Sequence, residues 1–96
     1  MANPVNCIVI NEADNVATAL VELHRGDVGG YLFQGKTMEI AIVEEIPQYH
    51  KFAICNIHKN ESVRKYGEVI GLTIAPISAG GHVHEHNIIS PGRVDQ

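Results

Sequence analysis

The segment His82-Val83-His84-Glu85-His86-Asn87 places three imidazoles at alternate positions. Imidazole is both a transition-metal ligand and a proton carrier near neutral pH. In an extended strand, alternate side chains share a face, so His82, His84 and His86 would point one way and Val83 and Glu85 the other. Residues two apart lie roughly 6.6 Å from each other, and the outer histidines about 13 Å. Two neighbouring imidazoles can reach one ion at about 2.1 Å, whereas three cannot unless the strand bends. The spacing therefore predicts part of a metal site, with two ligands from this strand and the rest from elsewhere. Gly80-Gly81 just ahead permits close approach of a ligand or partner. Asn87 offers a donor and an acceptor to a ligand histidine or a hydroxyl.

The elements that must hold these groups are short and strand-like. Cys7–Ile10, Val28–Phe33, Met38–Val43, Lys51–Ile57, Val69–Ile74 and His82–Ile89 read as strands, and Val16–Leu20 as a strand or a single helical turn. Gln34-Gly35-Lys36 predicts a hairpin turn with glycine where φ must be positive. Met38, Ile40 and Ile42 alternate with Glu39, Ala41 and Val43. No stretch longer than about two turns carries a 3.6-residue period. The fold class predicted is all-β with short helical turns.

One element recurs. Leu23-His24-Arg25-Gly26, Ile57-His58-Lys59-Asn60 and Ile77-Ser78-Ala79-Gly80 each set an apolar residue three places before Gly or Asn, with Val28, Val63 and Val83 soon after. This is the pattern of a tight turn that ends left-handed, where Gly and Asn are cheapest, pinned to the core by its apolar residue. Three copies point to a pseudo-symmetric β fold.

Composition sets limits. The 96 residues make one domain, 1–96, with an expected radius of gyration of about 13 Å. That leaves little room for a deep pocket beside a core, so the site belongs at an edge or an interface. Ser90–Gln96, with Pro91-Gly92, reads as a flexible tail or docking arm. A formal charge of −4, scattered basic residues and few aromatics exclude nucleic acid as an expected partner. No run of ~18 apolar residues offers a membrane span. Met1-Ala2-Asn3-Pro4 has no basic stretch leading into an apolar block, which predicts a cytoplasmic chain. Cys7 and Cys55 are then expected to be reduced and to fill strands as small apolar residues.

Three separated motifs carry a family resemblance: His50-Lys51-Phe52-Ala53, Lys65-Tyr66-Gly67-Glu68-Val69-Ile70-Gly71, and Gly80-Gly81-His82-Val83-His84-Glu85-His86-Asn87. Their order and spacing, from Asp14-Asn15-Val16 to Asn87, resemble the N-terminal module of the altronate/galactarate dehydratase family. The resemblance implies a SAF-type β-clip domain and an iron-dependent carbon–oxygen lyase acting on a sugar acid. It also implies a separately encoded small subunit that needs a large catalytic subunit, in an oligomer. A similar two-subunit lyase removes sulfite from sulfolactate, and a non-catalytic assembly module is the further alternative.

On this resemblance the expected site residues are His84 and His86 for catalysis, His82 and His84 for a divalent metal (Fe2+), and Lys51, Lys65 and Asn87 for substrate. The acid and base of the elimination are expected from the large subunit. The remaining candidates read as structural. His50 reads as a turn residue, Tyr66-Gly67 as a turn whose ring covers core, His24 and His58 as exposed, and Glu44-Glu45 as a solvated strand end.

Overall fold

The structure, a computed structural model, describes residues 5–90. Among them there is no helix, and nine short strands form the frame. β1 (Cys7–Ile8), β2 (Val16–Ala19), β5 (Lys51–Ala53) and β8 (His82–Val83) form an antiparallel sheet in the order β1-β2-β5-β8. β3 (Val28–Phe33) and β4 (Lys36–Ala41) make one hairpin. β6 (Ser62–Lys65), β7 (Glu68–Thr73) and β9 (Ile88–Ile89) make a three-stranded sheet. No helix is long and apolar enough to cross a membrane. The tail expected at 90–96 falls, beyond Ser90, outside the described residues.

The four-stranded sheet is covered on both faces, which settles the reading of Val16–Leu20. All four residues of β2 are buried, because alternate side chains enter different cores. Ala17 and Ala19 join Cys7, Leu23, Tyr31, Ile42, Ile46 and Phe52 on the side of the β3–β4 hairpin. Val16 joins Ala53, Ile57, Val63, Ile77 and Val83 on the side of β6 and β7. A strand with both faces buried shows no polar alternation, so its sequence looks ambiguous. With layers on both sides and hairpins reaching outward, the molecule measures 49 × 26 × 20 Å with a radius of gyration of 12.9 Å.

The recurring turn is real and has a fourth copy. Gly26, Asn60 and Gly80 have φ of 96°, 67° and 85°. Each turn closes with a backbone bond from its fourth residue to its first: Asp27 to His24, Glu61 to His58, Gly81 to Ser78. The same bond joins His50 to Pro47, with Tyr49 at φ 68°. A tyrosine in the left-handed region conceals this copy from a pattern that requires Gly or Asn. The apolar leaders pair as Leu23 with Ile46 and Ile57 with Ile77, each pair exchanging two backbone bonds of 2.8–2.9 Å. All four leaders are buried, so each pair stitches two turns across one core.

Both hairpins turn through two residues with positive φ, Gln34-Gly35 and Tyr66-Gly67, the geometry that matches strand twist. The Tyr66 ring does not cover core as the sequence suggested. It is exposed, with Lys65 Nζ 4.9 Å above its centroid. Cys55 likewise differs from expectation: it lies outside any strand and is exposed, whereas Cys7 is buried. Burial pushes the Cys7 thiol up to about 11, so it stays protonated and inert.

Buried Asn15 joins the two larger sheets. Its Nδ2 donates to the Ser62 carbonyl (2.9 Å), and its Oδ1 accepts from Arg64 N–H (2.8 Å). Asn15→Ala would leave both backbone groups without partners, at about 2–4 kcal/mol. Thermal unfolding should show a melting temperature lower by at least about 10 °C.

Candidate functional site

β5 and β8 bring the histidines together, but not as a single strand would. Phe52 pairs with His82 and Lys51 with Val83, so the next rung would need His50, which already belongs to a turn. With no partner for the ladder beyond Val83, the extended segment expected over His82–Ile89 breaks. His84 to Asn87 form a turn instead, with Asn87 N–H and Ile88 N–H both donating to the His84 carbonyl (3.0 and 3.2 Å). The chain then leaves for the other sheet, where β9 pairs with β7.

Asn87 makes that turn. Its Oδ1 accepts from His84 N–H (2.9 Å) and its Nδ2 donates to the His82 carbonyl (2.7 Å). The amide expected to meet substrate is thus bonded through both atoms to the backbone that carries the histidines.

His50 comes from the unrecognised fourth turn. It occupies the position held in two other copies by Asp27 and Glu61, whose carboxylates accept from the N–H of His24 and His58 within their own turns. Its imidazole lies over those of His82 and His84. Ring centroids are 5.1 Å from His50 to His82, 4.5 Å from His50 to His84 and 5.5 Å from His82 to His84. His50 Nδ1 and His82 Nε2 share a hydrogen bond of 2.9 Å. His86 is exposed and packs against His82 at 5.2 Å.

One nitrogen from each of His50, His82 and His84 lies within 4.8 Å of the others. Ligands about 2.1 Å from a common ion are at most about 4.2 Å apart. The rings are nearly parallel, so lone pairs in their planes must turn to converge. That rotation is about χ2, a broad torsion with a low barrier. Three imidazoles suit iron and other transition metals, and the donor set therefore fits a divalent ion of that class. Partial burial, then His50, His86 and His84 in turn, hold His82 down to about 4, with Glu44 opposing. Burial, His84 and Lys51 lower His50. Both rings are therefore neutral at pH 7, the form that ligates.

Glu44, read from the sequence as part of a solvated strand end, is exposed but does more. Its Oε1 accepts from His82 N–H (2.7 Å), fixing the start of β8. It also lines an open cleft of about 490 Å³ with Val43, Ser78, Gly81, His86 and Asn87. No local signal marks Glu44, because its partner lies 38 residues away. Lys51 and Lys65 are half-buried and lie apart from this cleft. His24 and His58 are exposed as expected, and His24 Nδ1 contacts Glu45 at 2.6 Å.

Fold and site define a small all-β domain with a partly exposed three-histidine cluster at one sheet edge. Residues 5–91 match the altronate/galactarate dehydratase SAF domain, and the chain belongs to that family. It is 41% identical over 80 residues to an altronate dehydratase of Escherichia coli, covering 83% of this chain but 15% of that protein. It is 34% identical over 84 residues to the (2R)-sulfolactate sulfo-lyase subunit alpha of Chromohalobacter salexigens, covering 83% of this chain and 89% of that subunit. It is 32% identical to a galactarate dehydratase (L-threo-forming) of Escherichia coli, over 88% of this chain and 15% of that protein. The chain thus spans a small fraction of the dehydratases and nearly all of the sulfo-lyase subunit.

Proposed function

We propose that this chain is the small subunit of a metal-dependent, cytoplasmic lyase that dehydrates a sugar acid of the altronate or galactarate type. The observation that carries the reading is the convergence of His50, His82 and His84 at an exposed sheet edge. Such a surface is one wall of a site, and a separately encoded large subunit closes it within an oligomer. Dehydration removes a proton from the carbon beside a carboxylate and expels hydroxide from the next carbon. A divalent ion such as Fe2+ held by the three histidines would polarise the leaving hydroxyl and offset charge developing on the carboxylate.

The chain's own groups have separate tasks. His82 and His84 hold the ion together with His50, which the sequence did not nominate. His86, exposed beside the cleft, is placed to exchange a proton with a bound ligand. Asn87 acts through the turn that sets His82 and His84, and Lys51 and Lys65 supply positive charge for an acid's anionic end. A second reading, the small subunit of a sulfolactate sulfo-lyase, is favoured by the 89% coverage of a subunit of that kind.

Reconstitution with the co-expressed large subunit tests both readings. The 96-residue chain alone should be inactive, and the complex should turn over altronate, galactarate or sulfolactate. Activity on sulfolactate alone would select the second reading. Turnover and metal content that survive alanine at His50, His82 and His84 would leave the chain as an assembly module.

A further inference from the structure

The cleft of about 490 Å³ beside the histidines has walls of two kinds. Val43, Ala75 and Pro76 are exposed and form an apolar wall. Glu44, Ser78 and His86 supply polar groups. A cleft of this size suits a small molecule, and the groups left free within it say which kind.

The bond from His82 N–H to Glu44 Oε1 (2.7 Å) holds the carboxylate in place although the residue is exposed. A carboxylate has about four acceptor sites, so most of them remain open. Glu44 has no ion-pair partner among the described residues. The Ser78 carbonyl accepts from Gly81 N–H within its turn, while its hydroxyl bonds to none of the described residues. No lysine or arginine lines the cleft. An anionic group placed there would face an unpaired carboxylate with no cation to offset it. A purely apolar group would strip that carboxylate of water and return nothing. A chain of hydroxyl-bearing carbons meets both conditions: its O–H groups donate to Glu44 and exchange bonds with Ser78, and its C–H groups rest on the apolar wall. His86 lines the same cleft and packs against His82 at 5.2 Å, so the cleft opens beside the three-histidine cluster.

We propose that this cleft binds an uncharged polyhydroxy segment, with Glu44 as its main acceptor and specificity-determining residue. This deepens the reading of the chain as part of a sugar-acid dehydratase and rests on it only for the origin of the segment. That origin is the hydroxylated tail of an acid whose reacting end lies at the histidines. Sulfolactate has no such tail, so a cleft that selects hydroxyl groups favours the first reading over the second.

The test is an NMR titration of the full chain, with chelator present, using three separate probes. These are sorbitol, sodium acetate, and hexamethylene glycol, which has the carbon chain of sorbitol without its inner hydroxyls. Sorbitol should shift the amides of Glu44, Ser78 and Gly81 in a saturable way, and the other two should not. Glu44→Gln keeps an oxygen for His82 N–H but loses the charge that strengthens bonds to hydroxyls. It should weaken sorbitol binding at least about fivefold, and Ser78→Ala about threefold. Both positions are exposed, so melting temperatures should stay within a few degrees. Ser78→Ala carries the test if Glu44→Gln disturbs β8. Equal shifts with hexamethylene glycol, saturable binding of acetate in the cleft, or unchanged affinity in both variants overturn the proposal. In the reconstituted complex, Glu44→Gln should raise KM for altronate at least about fivefold with little change in kcat. Sorbitol binding by a chain whose complex dehydrates no sugar acid would leave the subsite standing and remove the dehydratase reading. Dehydration by a complex whose small chain binds no sorbitol would do the reverse.

Discussion

His50→Ala should bind a divalent transition metal at least about 100-fold more weakly than the unaltered chain, although its ring lies 32 residues from His82 in sequence. Loss of a residue that merely orients a ligand typically lowers affinity 10- to 100-fold, and loss of a ligand should exceed that. The side chain is not part of either core, so the melting temperature of the variant should change by no more than a few degrees. Isothermal titration with Zn2+ or anaerobic Fe2+, beside thermal unfolding of the same samples, separates the two effects. His86→Ala is the internal comparison. It lies next to His82 but outside the converging trio, and its metal affinity should fall less than about tenfold. A larger loss in His86→Ala than in His50→Ala would mean that the ion sits along the His82–His86 segment, and His50 would return to being a turn residue.

The second large effect concerns the backbone that aims those rings. Gly80 has φ +85°, and a Cβ there would collide with the backbone carbonyl of Ala41. Its own amide donates to Ala53 (2.7 Å) and its carbonyl accepts from Val43 (3.1 Å). The residue therefore ties β5 to the chain leaving β4, two positions before His82. Gly80→Ala meets a left-handed backbone cost of about 1 kcal/mol and a collision that backbone must move to relieve. The expected loss is at least about 3 kcal/mol, or roughly 12 °C or more in melting temperature. Gly26 isolates the second part. It has φ +96° in an equivalent turn, but a Cβ there would meet nothing within 4 Å. Gly26→Ala should cost about 1 kcal/mol. If both variants lost the same stability, the close approach at Gly80 would carry no weight.

These two experiments bear on different levels of the same arrangement. One removes a ring of the three-histidine cluster, and the other moves the scaffold by which His82 and His84 are held. A destabilised Gly80→Ala chain should also lose metal affinity, whereas His50→Ala should lose affinity with its fold intact.

Much of this protein was legible in the sequence because the decisive signals are local. Alternating apolar residues and closely spaced turns dictate short strands, since period and turn conformation depend on neighbouring residues alone. The turn copies at Gly26, Asn60 and Gly80 could be read for that reason, and so could the hairpin turn at Gln34-Gly35. The spacing of His82 and His84 was also local, and from the limited reach of one strand came the expectation of a further group from elsewhere.

The tertiary structure decided what depends on pairing between distant segments. Whether Val16–Ala19 is strand or helix was settled by two cores closing on it, information absent from four small or branched residues. The break after Val83 follows from the absence of a partner for β8 beyond Lys51. That break makes Asn87 the clasp of a turn. His50 and Glu44 reached the site through a turn concealed by Tyr49 and a bond spanning 38 residues. Strand register is a global property, set by which faces can be buried together, and it determined which imidazole completes the three-histidine cluster.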